Sequence, residues 1–199
     1  MSVSSVKTGA TGISLLTGNT AYYPGDYESI ASVTVVGSST GNITFSSIPQ
    51  TYQHLQLRIY ARTTRPAVVI DNLWCQVNGS TNSGEYGYHI FYGDGTTTSF
   101  AGTATGSVSA VPMGAFPGDA ANNGFGMSVI DIVDYTSTAK WKHFRGIGGF
   151  DVNTAQTARV NRFSWTWESL SAITSLSIDD QSGYNFSAGT YIGLYGIKG

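Results

Sequence analysis

Three histidines, twelve carboxylates and one cysteine are the side chains of this chain best suited to moving protons, holding a metal or attacking an electrophile. Their spacing argues against each use. His54, His89 and His143 stand in no HxH, HExxH or HxxxH arrangement, the local patterns in which two imidazoles share a zinc ion. Each reads as a histidine on a sheet surface. Glycoside hydrolysis needs two carboxyl groups at a set separation, one as acid and the other as base or nucleophile. Asp131 and Asp134 differ by three along an expected strand, which places them on opposite faces. Asp179-Asp180 runs into Gln181-Ser182-Gly183 and has the composition of a turn. The loop Asp and Asn residues lack the spacing of a calcium loop. Cys75 alternates with Leu73 and Val77 and reads as a small buried apolar residue. A lone cysteine leaves no disulfide within the chain and no thiolate metal site. The expectation is no catalytic residue, no cofactor and no metal.

Charge is scarce. Asp, Glu, Lys and Arg make up 11% of the 199 residues, where a typical domain carries about 25%. Ser, Thr, Asn, Gln and Gly supply the polar surface instead, and neutral hydroxyls and amides lose less on desolvation than charges do. Such a surface suits a component covered by other protein. A net charge of -2 gives no electrostatic reason for nucleic-acid binding. No apolar run reaches about 18 residues, so no membrane contact is expected. The stretch Lys140-Trp-Lys-His-Phe-Arg145 is the one basic concentration, read as a solvated strand face before a patch for an acidic partner. Phe163, Trp165 and Trp167 share one strand face and read as core. Trp74, out of phase with Leu73 and Cys75, and Trp141 are the better candidates for exposed rings that stack on a glycan.

The elements that must position these groups alternate with period two. In His54–Arg62, Leu55, Leu57, Ile59 and Ala61 fall on one face and the polar residues on the other, the pattern of a half-buried strand. Weaker alternation spans Ile30–Val36, Ile43–Phe45, Leu73–Val77, Tyr86–Tyr92, Ser107–Phe116, Phe125–Tyr135, Lys140–Ile147, Val160–Trp167, Ala172–Ile178 and Thr190–Ile197. Gly and Asn turn signals separate them, among them Asn78-Gly79, Gly93-Asp-Gly95 and Asn122-Asn-Gly124. The fold class expected is all-β, an antiparallel β-sandwich of jelly-roll type over residues 30–199. Residues 1–29 show little alternation and read as an extended N-terminal arm, with Tyr22, Tyr23, Pro24 and Tyr27 as its contact residues.

The ordered series Ile43-Thr-Phe-Ser-Ser-Ile-Pro-Gln-Thr-Tyr-Gln-His-Leu-Gln-Leu-Arg58, Tyr92-Gly-Asp-Gly95, Val129-Ile-Asp-Ile-Val-Asp-Tyr135, Ala172-Ile-Thr-Ser-Leu176 and Leu194-Tyr-Gly-Ile-Lys-Gly199 resembles a family of virion structural proteins from tailed bacteriophages. The resemblance covers roughly residues 33–199; the arm is longer than the family pattern. It implies a place in the virion, assembled in the host bacterial cytoplasm, and leaves head or tail open. The function expected is that of a capsid cement or decoration protein, not an enzyme. It would contact the major capsid protein and other copies of itself, as a homotrimer, with the arm reaching to a neighbour. The alternative is a tail-fibre or tail-tip adhesin that binds host glycans through Trp74 and Trp141.

Overall fold

The computed structural model describes residues 14–15, 21–22, 26–37, 40–103, 108–121, 123–152 and 158–198. They are built from strands and one 3-10 turn, Ser83–Glu85, capped by Asn82, whose side chain accepts from Gly84 N. In chain order the strands are β1 (Ser14–Leu15), β2 (Ala21–Tyr22), β3 (Tyr27–Thr34), β4 (Ile43–Phe45), β5 (His54–Ala61), β6 (Ile70–Val77) and β7 (Tyr86–Gly93). There follow β8 (Thr98–Thr103), β9 (Val111–Pro117), β10 (Gly126–Val133), β11 (Lys142–Phe150), β12 (Arg159–Trp167), β13 (Leu176–Asp180) and β14 (Tyr191–Ile197).

Two antiparallel sheets carry the fold. The larger has eight strands in the order β3-β14-β5-β10-β11-β12-β7-β8, and the smaller has four, β4-β13-β6-β9. Among the described residues β1 and β2 pair only with each other. A jelly roll divides eight strands between two Greek keys; here the division is eight and four, and β10, β11 and β12 form a plain meander. The inward residues of both sheets make one core, from Leu55, Leu57 and Ile59 through Ile130, Ile132, Phe144, Phe163 and Trp165 to Leu73, Cys75, Leu176 and Ile178.

One strand departs from alternation. Every residue of β9 is buried, although β9 is the edge of the small sheet. Its outer side lies on β10, β11 and β12, so it needs hydrogen-bond partners where no neighbouring strand exists. The large sheet supplies them from side chains. Ser128 Oγ of β10 donates to Met113 O at 3.0 Å, and Asn161 Oδ1 of β12 accepts from Ala115 N at 3.2 Å. Both side chains are fully buried. Glycines allow the close approach. At Gly114, with φ +111°, an added Cβ would come within 2.8 Å of Asn161 Nδ2 and 2.9 Å of Ser128 Oγ. One added at Gly148 would run into Ser128 Oγ.

Each of the eleven expected strands coincides with a strand of the structure, within a few residues at the ends. Three differences matter. First, β3 begins at Tyr27, so Tyr27, Glu28 and Ser29 belong to the sandwich and not to an arm. The Tyr27 ring stacks on Tyr195 at 4.8 Å, and its hydroxyl donates to Gln56 Oε1 at 2.9 Å. Tyr22 is in the β1–β2 ladder, whereas Tyr23 and Pro24 lie outside the described residues. Second, β8 is an additional edge strand. Third, the basic stretch splits by alternation: Trp141, His143 and Arg145 point out, while Lys142 is fully buried. Lys142 Nζ donates to Lys140 O at 2.9 Å and Ser169 O at 3.3 Å, and burial depresses its pKa.

Replacing Ser128 by Ala leaves the Met113 carbonyl buried without its donor. Such a loss costs about 1–3 kcal/mol. Urea unfolding of Ser128→Ala should show that decrease, and a change below about 0.5 kcal/mol, the size of an ordinary surface substitution, would contradict the role given to this side chain.

Candidate functional site

The acids considered for chemistry do not converge. Asp131 lies on the outer face of β10, where it accepts from Gln56 Nε2 at 2.8 Å. Asp134 sits past the end of β10 at φ 48°, so it is not on the strand at all. Lys140 Nζ, at 2.6 Å, holds its carboxyl below the usual range, with His54 Nδ1 3.7 Å away. His89 and His143 are exposed on separate strands. Among the described residues no three His, Cys, Asp or Glu side chains gather as metal ligands would. Burial pushes the Cys75 thiol up to about 12, which leaves it inert. Gly37-Ser-Ser-Thr-Gly41 matches the Gly-x-Ser-x-Gly spacing of a serine nucleophile. Among the described residues β3, which ends at Thr34, is followed by the strand β4 and not by the helix of a nucleophile elbow; Ser39 itself lies outside the described residues.

One acid of the Asp179-Asp180 pair does meet another carboxylate, Asp71, and its place corrects the sequence reading. Asp179 and Asp180 are the last residues of β13 rather than a turn. Asp180 is 3% exposed and lies against Asp71, which is fully buried on β6. Asp71 takes the cations and donors: Thr63 Oγ1 at 2.6 Å, Arg65 Nη1 at 3.0 Å and Asn72 N at 2.9 Å. Asp180 Oδ2 accepts from Ser182 N and Tyr184 N, at 3.1 and 2.7 Å. Desolvation, and then the neighbouring Asp71, raise the Asp180 pKa to about 6. The pair pins the 182–184 turn to the end of β6. Asp71 was legible in advance, because it alternates in phase with Leu73, Cys75 and Val77.

The surface with the most unusual composition is the outer face of the large sheet. Register lines up Arg58, Val129, Ile147, Arg162, Phe91 and Phe100 in one cross-strand row. The adjacent row on that face runs Tyr191, Tyr60, Met127, Gly149, Val160. Met127, Ile147 and Val160 are each about 60% exposed and Phe100 is 81% exposed. Scattered apolar residues need no explanation, but contiguous ones mark a surface that something covers. At the β7–β8 end, His89, Phe91, Phe100, Arg145 and Arg162 border a hollow of about 550 Å³.

The two tryptophans singled out for glycan stacking are far from equivalent. Trp141 is 50% exposed, just before β11. Trp74 is half-buried between the sheets, beside Asn161 and Arg159, with its indole N–H lacking an acceptor. In comparison with known proteins, the chain matches no family model and no curated sequence.

A folded-state pKa raised above its unfolded value stabilises below the unfolded value, and the benefit disappears as pH rises through the raised one. Asp180 should therefore withdraw stability between about pH 4 and pH 6. Asp180→Asn keeps an acceptor for Ser182 and Tyr184 and removes the repulsion. Its advantage over the parent should grow across that window to on the order of 1 kcal/mol or more. Urea unfolding at pH 4, 5, 6 and 7 checks this. A stability difference that stays constant over the series would contradict the assignment.

Proposed function

We propose that the protein is a structural component of a tailed-bacteriophage virion, a capsid cement or decoration protein. In this reading it packs against the major capsid protein and against other copies of itself as a homotrimer, and it is assembled in the host bacterial cytoplasm. The observation that carries the reading is the outer face of the eight-stranded sheet, with Met127, Ile147, Val160 and Phe100 exposed in adjoining rows. Three arginines, Arg58, Arg145 and Arg162, and one acid, Asp131, frame them. Covering such a face removes apolar area from water and desolvates few charges. Decoration repeats the contact over a shell, so a modest affinity per copy is sufficient. The sequence resemblance points the same way. The segment before Tyr27, with Tyr22, Tyr23 and Pro24, would add a second grip, since Tyr offers large contact area with few rotors to freeze. The reading involves no catalysis, cofactor, nucleic acid or membrane.

A second reading, a tail-fibre or tail-tip adhesin module that binds host glycans, is favoured by one observation: Trp141 presents half its surface to solvent. Saturable binding to host lipopolysaccharide, lost in Trp141→Ala, would support it.

Heads of the parent phage made without this protein, mixed with purified protein and sedimented, test the first reading. Wild type should co-sediment to saturation and be seen on the shell by electron microscopy. Ile147→Asp/Val160→Asp places two charges on the exposed face, without entering the core, and should weaken decoration about tenfold or more. Full decoration by the folded variant, or wild-type protein found only on the tail, would overturn the reading.

A further inference from the structure

The two main sheets present four edges, and three of them are guarded against the addition of a further strand. β9 is covered by β10, β11 and β12, and β4 is only three residues long. β3 carries Glu28, and its pairing with β14 shifts register at Ile30. β8, Thr98-Ser-Phe-Ala-Gly-Thr103, has none of these devices. It holds no charge and no proline, and its pairing with β7 runs without a bulge. Thr98, Phe100, Ala101 and Gly102 are exposed. At 81%, Phe100 is the most exposed large apolar side chain among the described residues.

The hairpin shows which backbone groups of β8 are not taken by β7. Asp94 N donates to Thr97 O, so Gly93 and Thr98 are a non-hydrogen-bonded pair, and the two kinds of pair alternate from there. Ser99 and Ala101 therefore bond to Tyr92 and Ile90, while Thr98, Phe100 and Gly102 aim their N–H and C=O groups away from β7. A second β8, antiparallel about a two-fold axis normal to the sheet, meets these groups. Opposite residues share a face, so the register must match outer residues with outer residues. With Phe100 opposite Phe100 of the second copy, Thr98 meets Gly102 and Ser99 meets Ala101. All three outward-aimed residues of each strand are then bonded. A shift of two residues would set Thr98 against residue 104, past the end of β8.

The same register extends an aromatic row. Phe91 and Phe100 already lie 5.1 Å apart, and the axis adds their two counterparts beyond them, a favourable cross-strand arrangement. Neither strand bears a charge, so pairing opposes no like charges and desolvates none. We propose that β8 is a docking edge for β8 of a second copy of this chain, joining two eight-stranded sheets into one with Phe100 at the axis. A two-fold contact cannot close three copies, so this junction is separate from the trimer of the assembly reading. Its test needs no phage heads, and either can fail alone.

Single cysteines read the register while Phe100 stays in place. Opposite residues of a non-hydrogen-bonded pair have Cα atoms about 4.5 Å apart, within disulfide reach. Full-length Ser99→Cys and Ala101→Cys proteins, mixed and oxidised, should give a cross-linked dimer on a non-reducing gel. Each alone should not, since like positions then lie about 8 Å apart; Cys75 is buried and does not compete. In sedimentation, wild type should double its mass as concentration rises to about 1 mM. Phe100→Lys, which sets two like charges on the axis, should weaken that association about tenfold or more. A mixture without cross-links, a wild-type mass that stays constant, or unchanged association of folded Phe100→Lys would overturn the proposal. Either cysteine variant cross-linking alone as readily as the mixture would overturn the register.

Discussion

The outer edge of β9 must find hydrogen bonds inside the protein, and that constraint organises the molecule. A sheet edge normally faces water or another strand. Here it faces the flat of a second sheet, and Ser128 and Asn161 stand in for the missing strand at Met113 O and Ala115 N. The arrangement works only if the sheets approach closely, which is why small residues collect at the contact. Gly114 and Gly148 leave the space that the two side chains fill. Polar groups buried this way are costly when only half satisfied. That makes the contact specific: a shift of β9 by one residue would leave both side chains and both backbone groups unpaired.

Closure on one side determines what the other side presents. With its inner face occupied by the small sheet, the eight-stranded sheet turns outward a long surface whose rows are set by register. A chain so poor in charge offers that surface little electrostatic cover, and its exposed apolar residues adjoin one another rather than scatter. Asp71 and Asp180 follow the same logic at the far end of β6, where a shared burden of burial ties a turn to a strand end.

Alternation made most of the fold legible, since a period of two survives wherever one face is buried. It failed where that condition failed. β9 is buried on both sides and has no period, and β8, Thr-Ser-Phe-Ala-Gly-Thr, is an edge strand with one large side chain. Lys142 fits the inward phase with Phe144, but a lysine at a core position reads as surface until its two carbonyl acceptors are seen. Trp74 was visible as an out-of-phase ring and Trp141 as a candidate for exposure. The surroundings of Trp74 were not: Arg159 and Asn161 lie 85 and 87 residues further along the chain, and β9, paired with β6 and packed on β12, brings them together. The apolar rows have the same origin, because they exist only in register.

Native-state hydrogen exchange at the Ala115 amide tests the closure of β9 most directly. That N–H meets no strand, only the Asn161 side chain. If the contact is as described, Ala115 exchanges only through global unfolding, as slowly as amides at the centre of β10. Exchange at the rate of a fraying edge, in protein whose β10 amides remain protected, would show that the edge is open and that the two sheets are held together in some other way.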